Sequence, residues 1–299
     1  MTSGVLVLNK PAGMTSHDAV MRVRRLYHTK KVGHTGTLDP GASGVLTVLI
    51  GNAVKTASLL EEKTKIYRAG LRFGTFTDTE DIWGKVLQSD PHRPTEAQIC
   101  EALGAFQGDL MQTPPMVSAI KVGGKKLYEL ARRGEVIERT PRPITVHSFT
   151  LLDYSPDRAT FRIEVSRGAY IRTLLYDLCC AMGVLGVMDA LEREASGSFF
   201  LSSAVTPDQL ECMSDQEREK VLIPIEALFA TLPAYHLPPF FDRLIASGQR
   251  VLLSKLHRTD PVGTRFRLYR DGVFFAVGEV IEEDGEKKLF KIKEFPLDH

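Results

Sequence analysis

The segment Gly33-His34-Thr35-Gly36-Thr37-Leu38-Asp39-Pro40-Gly41-Ala42-Ser43-Gly44 constrains this chain most. Four glycines and a proline within twelve residues are incompatible with a helix or an unbroken strand, so the chain must form a loop here. Strong elements flank it. Thr15 or Ser16 can cap a helix with Ala19, Val20, Val23 and Tyr27 on its apolar face, and Val45–Ile50 reads as a buried strand. A loop held between such elements is built to present something. Its one carboxylate is Asp39, placed before a proline that favours an extended backbone and lacks an N–H. Asp39 could serve as a nucleophile or base, or simply form an Asp-Pro turn.

The rest of the chain reads as alternating strands and helices. Gly4–Leu8 is apolar throughout and ends in the turn Asn9-Lys10-Pro11-Ala12-Gly13. Ile66–Phe73 sets Tyr67, Ala69, Leu71 and Phe73 against Arg68 and Arg72, the period of a half-buried strand; Thr160–Val165 alternates likewise. Thr95 caps a helix, and Tyr170–Met182 reads as another. At 299 residues two domains are expected, with punctuation by Leu232-Pro233 and Pro238-Pro239. Beyond it, Asp271-Gly272 and Asp284-Gly285 sit between alternating runs as two-residue hairpin turns. The expected organisation is residues 1–230 followed by a small β-rich module, 231–299.

Thirty-eight basic and 37 acidic side chains give a net charge of only +1, but the charge is unevenly spread. No acid lies between Asp18 and Asp39, where Arg22, Arg24, Arg25, Lys30 and Lys31 fall. Residues 121–142 and 242–270 are also basic, a distribution that suits a polyanion or merely solvated faces. Cys100, Cys179, Cys180 and Cys212 form no C-x-x-C, and the histidines show no metal-ligand spacing, so no disulfide framework and no metal are expected. The first residues lack a basic signal-peptide region and no apolar stretch is long enough to span a membrane, so the chain is expected in the cytoplasm. The loop also lacks a phosphate-loop lysine, which argues against a nucleotide-binding metabolic enzyme.

The Gly33–Gly44 string resembles the G-H-x-G-x-L-D-P-x-A-x-G motif of the tRNA pseudouridine-55 synthases, the B-type pseudouridine synthases. Asn9–Ser16 resembles that family's lysine-proline motif, and Lys65–Arg68 its strand with the active-site tyrosine, followed by Thr77-Asp78-Thr79. Gln112–Lys121 and Tyr128–Gly134 resemble its substrate-arm segment, and Ser166–Leu174 its third active-site motif. The resemblance implies an α+β fold, a mixed and mainly antiparallel sheet with a central catalytic cleft, and a C-terminal PUA-like RNA-binding domain. It implies that a uridine in the T-arm of tRNA, position 55, is isomerised without cofactor or metal; independently of the resemblance, nothing in the sequence demands more than a monomer. In that family Asp39 would be the nucleophile, Arg172 its ion-pair partner, and Tyr67 a stacking residue near the departing C5 proton. Tyr170 and Leu191 would line the base pocket, His34 would fill the space left by the flipped nucleotide, and Lys10 would support the loop or a phosphate. Glu192 stands where the family commonly has arginine, so no phosphate contact is implied there. A non-catalytic RNA-binding or RNA-folding protein, or a synthase acting on another RNA, would share the basic stretches and the C-terminal module.

Overall fold

In the computed structural model the described residues are 2–60, 64–118, 120–122, 124–131, 133–135 and 137–295. Ala119 and Arg132 of the expected substrate arm lie outside them. A nine-stranded sheet runs in the order Gly4–Lys10, Ser43–Ile50, Gly186–Ser196, Thr64–Phe73, Arg158–Ser166, Arg142–Ser155 and Gly108–Gln112, with Val32–His34 and Phe199–Phe200 pairing at its side. Every pairing is antiparallel except one: Ser43–Ile50 meets Gly186–Ser196 in parallel, through Glu192 with Ser43 and Arg193 with Gly44. The α+β class and mixed, mainly antiparallel sheet are therefore as expected.

The periodicities account for the packing. Tyr67, Ala69, Leu71 and Phe73 are buried while Arg68 and Arg72 are exposed, and Phe161, Ile163 and Val165 are buried beside them. Ser16–Leu26 is a helix whose Thr15 cap accepts the amide of Asp18 and whose Asp18 carboxylate accepts the amide of Thr15, satisfying donors at its first turn. Ala19, Val20 and Val23 face the core. The helix Ile171–Met182 starts one residue later than the sequence suggests and ends in a left-handed Gly183. Among the described residues, no helix is long and apolar enough to cross a membrane, and all four cysteines are free.

A second, five-stranded sheet is formed by Ala234–His236, Arg265–Arg270, Val273–Glu283, Glu286–Glu294 and Val251–Leu252, over its own core of Phe266, Leu268, Phe275, Val280 and Leu289. Both expected hairpin turns are present, each with two consecutive positive-φ residues: Asp271 at 48° with Gly272 at 79°, and Asp284 at 55° with Gly285 at 74°. The basic stretch of this region is less available than its sequence implies. Arg250, Arg258, Arg265, Arg267 and Arg270 are ion-paired to Glu283, Asp260, Glu279, Glu226 and Asp242.

Candidate active site

The glycine-rich loop leaves the sheet where its two parallel strands touch. Gly44 has a φ of 102°, and a β-carbon there would run into the backbone of Arg193, so the close approach of the two strands requires glycine. The loop is tied down from several directions. The hydroxyl of Ser16 donates to the carbonyl of Leu38 and accepts its amide, both at 2.9 Å. The amide of Gly13 donates to the carbonyl of Pro40, and that of Ala42 to the carbonyl of Asp39. Beneath the loop, the buried Arg193 donates from Nε to Val45 and from Nη2 to Gly36 carbonyls, at 2.6 and 3.0 Å.

So fixed, the loop forms one wall of a cleft of about 1230 Å³, which His34, Asp39, Tyr67, Tyr170, Arg172 and Leu191 all line. Asp39 Oδ2 lies 3.1 Å from Arg172 Nη2, and the aspartate side chain is 42% exposed against 4% for the arginine. Arg172 sits in the first turn of its helix, where a cation opposes the dipole. The surroundings offset that cost: Nη1 donates to the Thr79 carbonyl at 2.9 Å and pairs with Asp81 at 3.3 Å, while Nη2 donates to the Val117 carbonyl at 2.9 Å. Tyr170 is held by its backbone, since its amide donates to Gln112 Oε1 at 2.8 Å and its carbonyl accepts from Gln112 Nε2 at 3.0 Å. Burial pushes its phenol upward, opposed by the neighbouring Ser118 hydroxyl and reinforced by the charge of Asp39. His34 is pulled down by burial and then by Arg193, Lys65 and His17, which favours the neutral ring.

Lys10 departs from this arrangement. It is fully buried, does not line the cleft, and donates from Nζ to the carbonyls of Pro11 and Met14 at 2.8 and 2.6 Å. Those two hydrogen bonds tie the ammonium to the turn that follows the first strand, and the side chain presents no exposed surface. Burial lowers its pKa from 10.5 to about 8, against the pull of Asp39 and with a further push from Arg193. Folding thus favours the neutral amine. The buried ammonium is a cost below pH 8 that is released as the pH rises toward 10.5. The stability of the parent relative to Lys10→Met should therefore rise across that window, by roughly 3 kcal/mol in all. Urea unfolding of both proteins as a function of pH measures this; a flat difference would contradict it.

Asp81, Gln112 and Arg193 were not singled out by sequence reasoning. The signal for Asp81 was a third acid in the run Asp78, Glu80, Asp81; Gln112 offered only its place at the start of the substrate-arm resemblance. Glu192 turns away from the cleft and lines a separate hollow with Arg162 and Phe200. The helix basic stretch is partly spent as well, because Arg22 and Arg25 both pair with Glu211. Among the described residues, no three His, Cys, Asp or Glu side chains gather as a metal site would need.

The model of the TruB family pseudouridylate synthase (N terminal domain) matches residues 24–171. The tRNA pseudouridine synthase B of Azoarcus sp. (strain BH72) is 41% identical over 279 residues, spanning 93% of this chain and 91% of its own length. That of Alkaliphilus oremlandii (strain OhILAs) is 39% identical over 294 residues, covering 97% of each. Among solved structures, a chain of a Cbf5-Nop10-Gar1 complex superposes with a TM-score of 0.68 at 23% identity, over 98% of this chain and 85% of that one, a likeness of fold. Identity at this level over nearly the full length of such relatives places the chain in the tRNA pseudouridine synthase B family.

Proposed function

We propose that this protein isomerises the uridine at position 55 in the T-arm of tRNA to pseudouridine, with Asp39 as nucleophile. The observation that carries the reading is the 3.1 Å pairing of a half-exposed Asp39 with a buried Arg172 inside a cleft walled by Tyr67, Tyr170 and Leu191. The target nucleotide is flipped out of the T-loop into this cleft, and His34, on the loop beside Asp39, takes up the space it leaves. Asp39 attacks uracil C6 or ribose C1′. The N-glycosidic bond breaks, the base turns over, C5 bonds to C1′, and the bond to Asp39 is broken so that its carboxylate is regenerated. The C5 proton leaves toward Tyr67, directly or through water, and returns to N1 from solvent; product and substrate are isomers, so no co-reactant is consumed. An apolar pocket wall keeps the detached base from escaping. Residues 1–230 form the catalytic domain and 231–299 a PUA-like RNA-binding domain, in a cytoplasmic monomer.

Tritium release from C5-labelled uridine separates this reading from its neighbours. Release is expected from a T-arm stem-loop and not from stem-loops of unrelated RNAs. Equal release from all would make the protein a synthase of broader scope, and binding without release would make it an RNA-binding protein.

A further inference from the structure

Trp83, the only tryptophan, is 55% exposed, unusual for so large an apolar side chain. What it touches explains its position. A β-carbon built on Gly41 would land within the indole, the three nearest atoms all being ring carbons of Trp83. Gly41 has no positive φ, so the path of the loop does not itself demand glycine there. The missing side chain makes room for the indole, which lies against the backbone two residues after Asp39.

The turn carrying Trp83 is rigidly held. Thr77 Oγ1 donates to the Asp81 carbonyl at 2.6 Å, and the Ile82 amide to Met188 of the central strand at 3.0 Å. The Asp81 carboxylate accepts the Trp83 amide at 3.2 Å on Oδ1, and its Oδ2 lies 3.3 Å from Arg172 Nη1. The contacts close a ring: Asp39 to Arg172, Arg172 to Asp81, Asp81 to Trp83, and Trp83 back to the loop at Gly41. Arg172 holds the carboxylate from within the cleft, while the indole covers the same loop from outside.

We propose that Trp83 is a positioning residue for the isomerisation, fixing through Gly41 the backbone that presents Asp39. The proposal rests on Asp39 being the nucleophile. A shift of about 1 Å at a reacting group can cost about a hundredfold in rate, so a cover that stops the loop from drifting affects turnover without touching substrate.

The test compares single-turnover rates at saturating T-arm stem-loop with the dissociation constant for the same RNA. Trp83→Ala is expected to lower the rate at least about tenfold and leave affinity within about threefold, whereas Trp83→Phe, which keeps a ring over Gly41, recovers to within about threefold of the parent. Gly41→Ala is expected to impair the parent similarly, but to cost less than about twofold in the Trp83→Ala background, where the colliding ring is gone. The Gly41→Ala arm also stands if Trp83→Ala folds poorly, because the cycle can be closed with Trp83→Leu. Unchanged rates, a loss confined to affinity, or the same Gly41→Ala cost in both backgrounds would overturn the proposal; the second would make the indole an RNA contact. Asp39→Asn assayed alongside keeps the two readings apart. Turnover that survives it removes the nucleophile itself, whereas silent Trp83 variants beside an inactive Asp39→Asn remove only the positioning role.

Discussion

Replacing Asp39 by asparagine should abolish pseudouridine formation on a T-arm stem-loop, lowering turnover by at least about four orders of magnitude, as loss of a covalent nucleophile does elsewhere. The amide has nearly the volume of the carboxylate, so the cleft keeps its shape. Arg172 retains three partners after the change, namely Asp81 and the carbonyls of Thr79 and Val117. The fold should therefore be undisturbed and the lost rate chemical in origin. RNA affinity should stay within about tenfold, because contacts to the phosphate backbone supply most of the binding free energy. Tritium release and gel-shift titration of the same preparation report the two quantities. An Asp39→Asn protein that still turned over would remove Asp39 from the reaction, and one that lost RNA binding in proportion would make it a docking residue.

Much of this site could be read from the sequence because its parts are local. The Gly33–Gly44 string is continuous, its glycines and proline constrain the backbone on their own, and the two-residue alternation of Ile66–Phe73 already puts Tyr67 on the buried face. The hairpin turns of the C-terminal sheet were legible for the same reason, since Asp-Gly is chemically suited to two positive-φ residues. Contacts between distant segments were not legible. Asp81 is 91 residues from Arg172, and Gln112 is 58 residues from the Tyr170 backbone it holds. Neither pairing leaves a periodic trace. The strand Gly186–Ser196 was missed because it carries Asp189, Glu192, Arg193 and Glu194, which give no clean alternation; it forms through its neighbours on both sides. Charge was the least reliable guide. Counting arginines along 242–270 overstates the free positive surface, because the fold brings an acid beside most of them: strand register for Arg265 with Glu279, chain proximity for Arg258 with Asp260, and a packed helix for Arg270 with Asp242.

Arg172→Met should produce two losses with separate origins. The guanidinium links two carboxylates that differ in their access to water: Asp39, whose side chain is 42% exposed, and Asp81, whose side chain is 11% exposed. Without the arginine, Asp39 can rehydrate, but Asp81 is left as a buried charge without its counterion and the Thr79 and Val117 carbonyls lose a donor. Stranding such a charge costs about 3–5 kcal/mol. Turnover should fall by about a hundredfold or more, since the nucleophile loses the group that orients it, while RNA affinity changes much less. A second substitution separates the effects. Asp81→Asn removes the stranded charge, so in the Arg172→Met background it should restore at least about 1 kcal/mol of stability. It should restore no turnover, because nothing again orients Asp39. Urea unfolding and single-turnover assays of the parent, both single variants and the double variant complete the cycle. If Asp81→Asn brought back turnover together with stability, Arg172 would be acting through the integrity of the fold and not through Asp39.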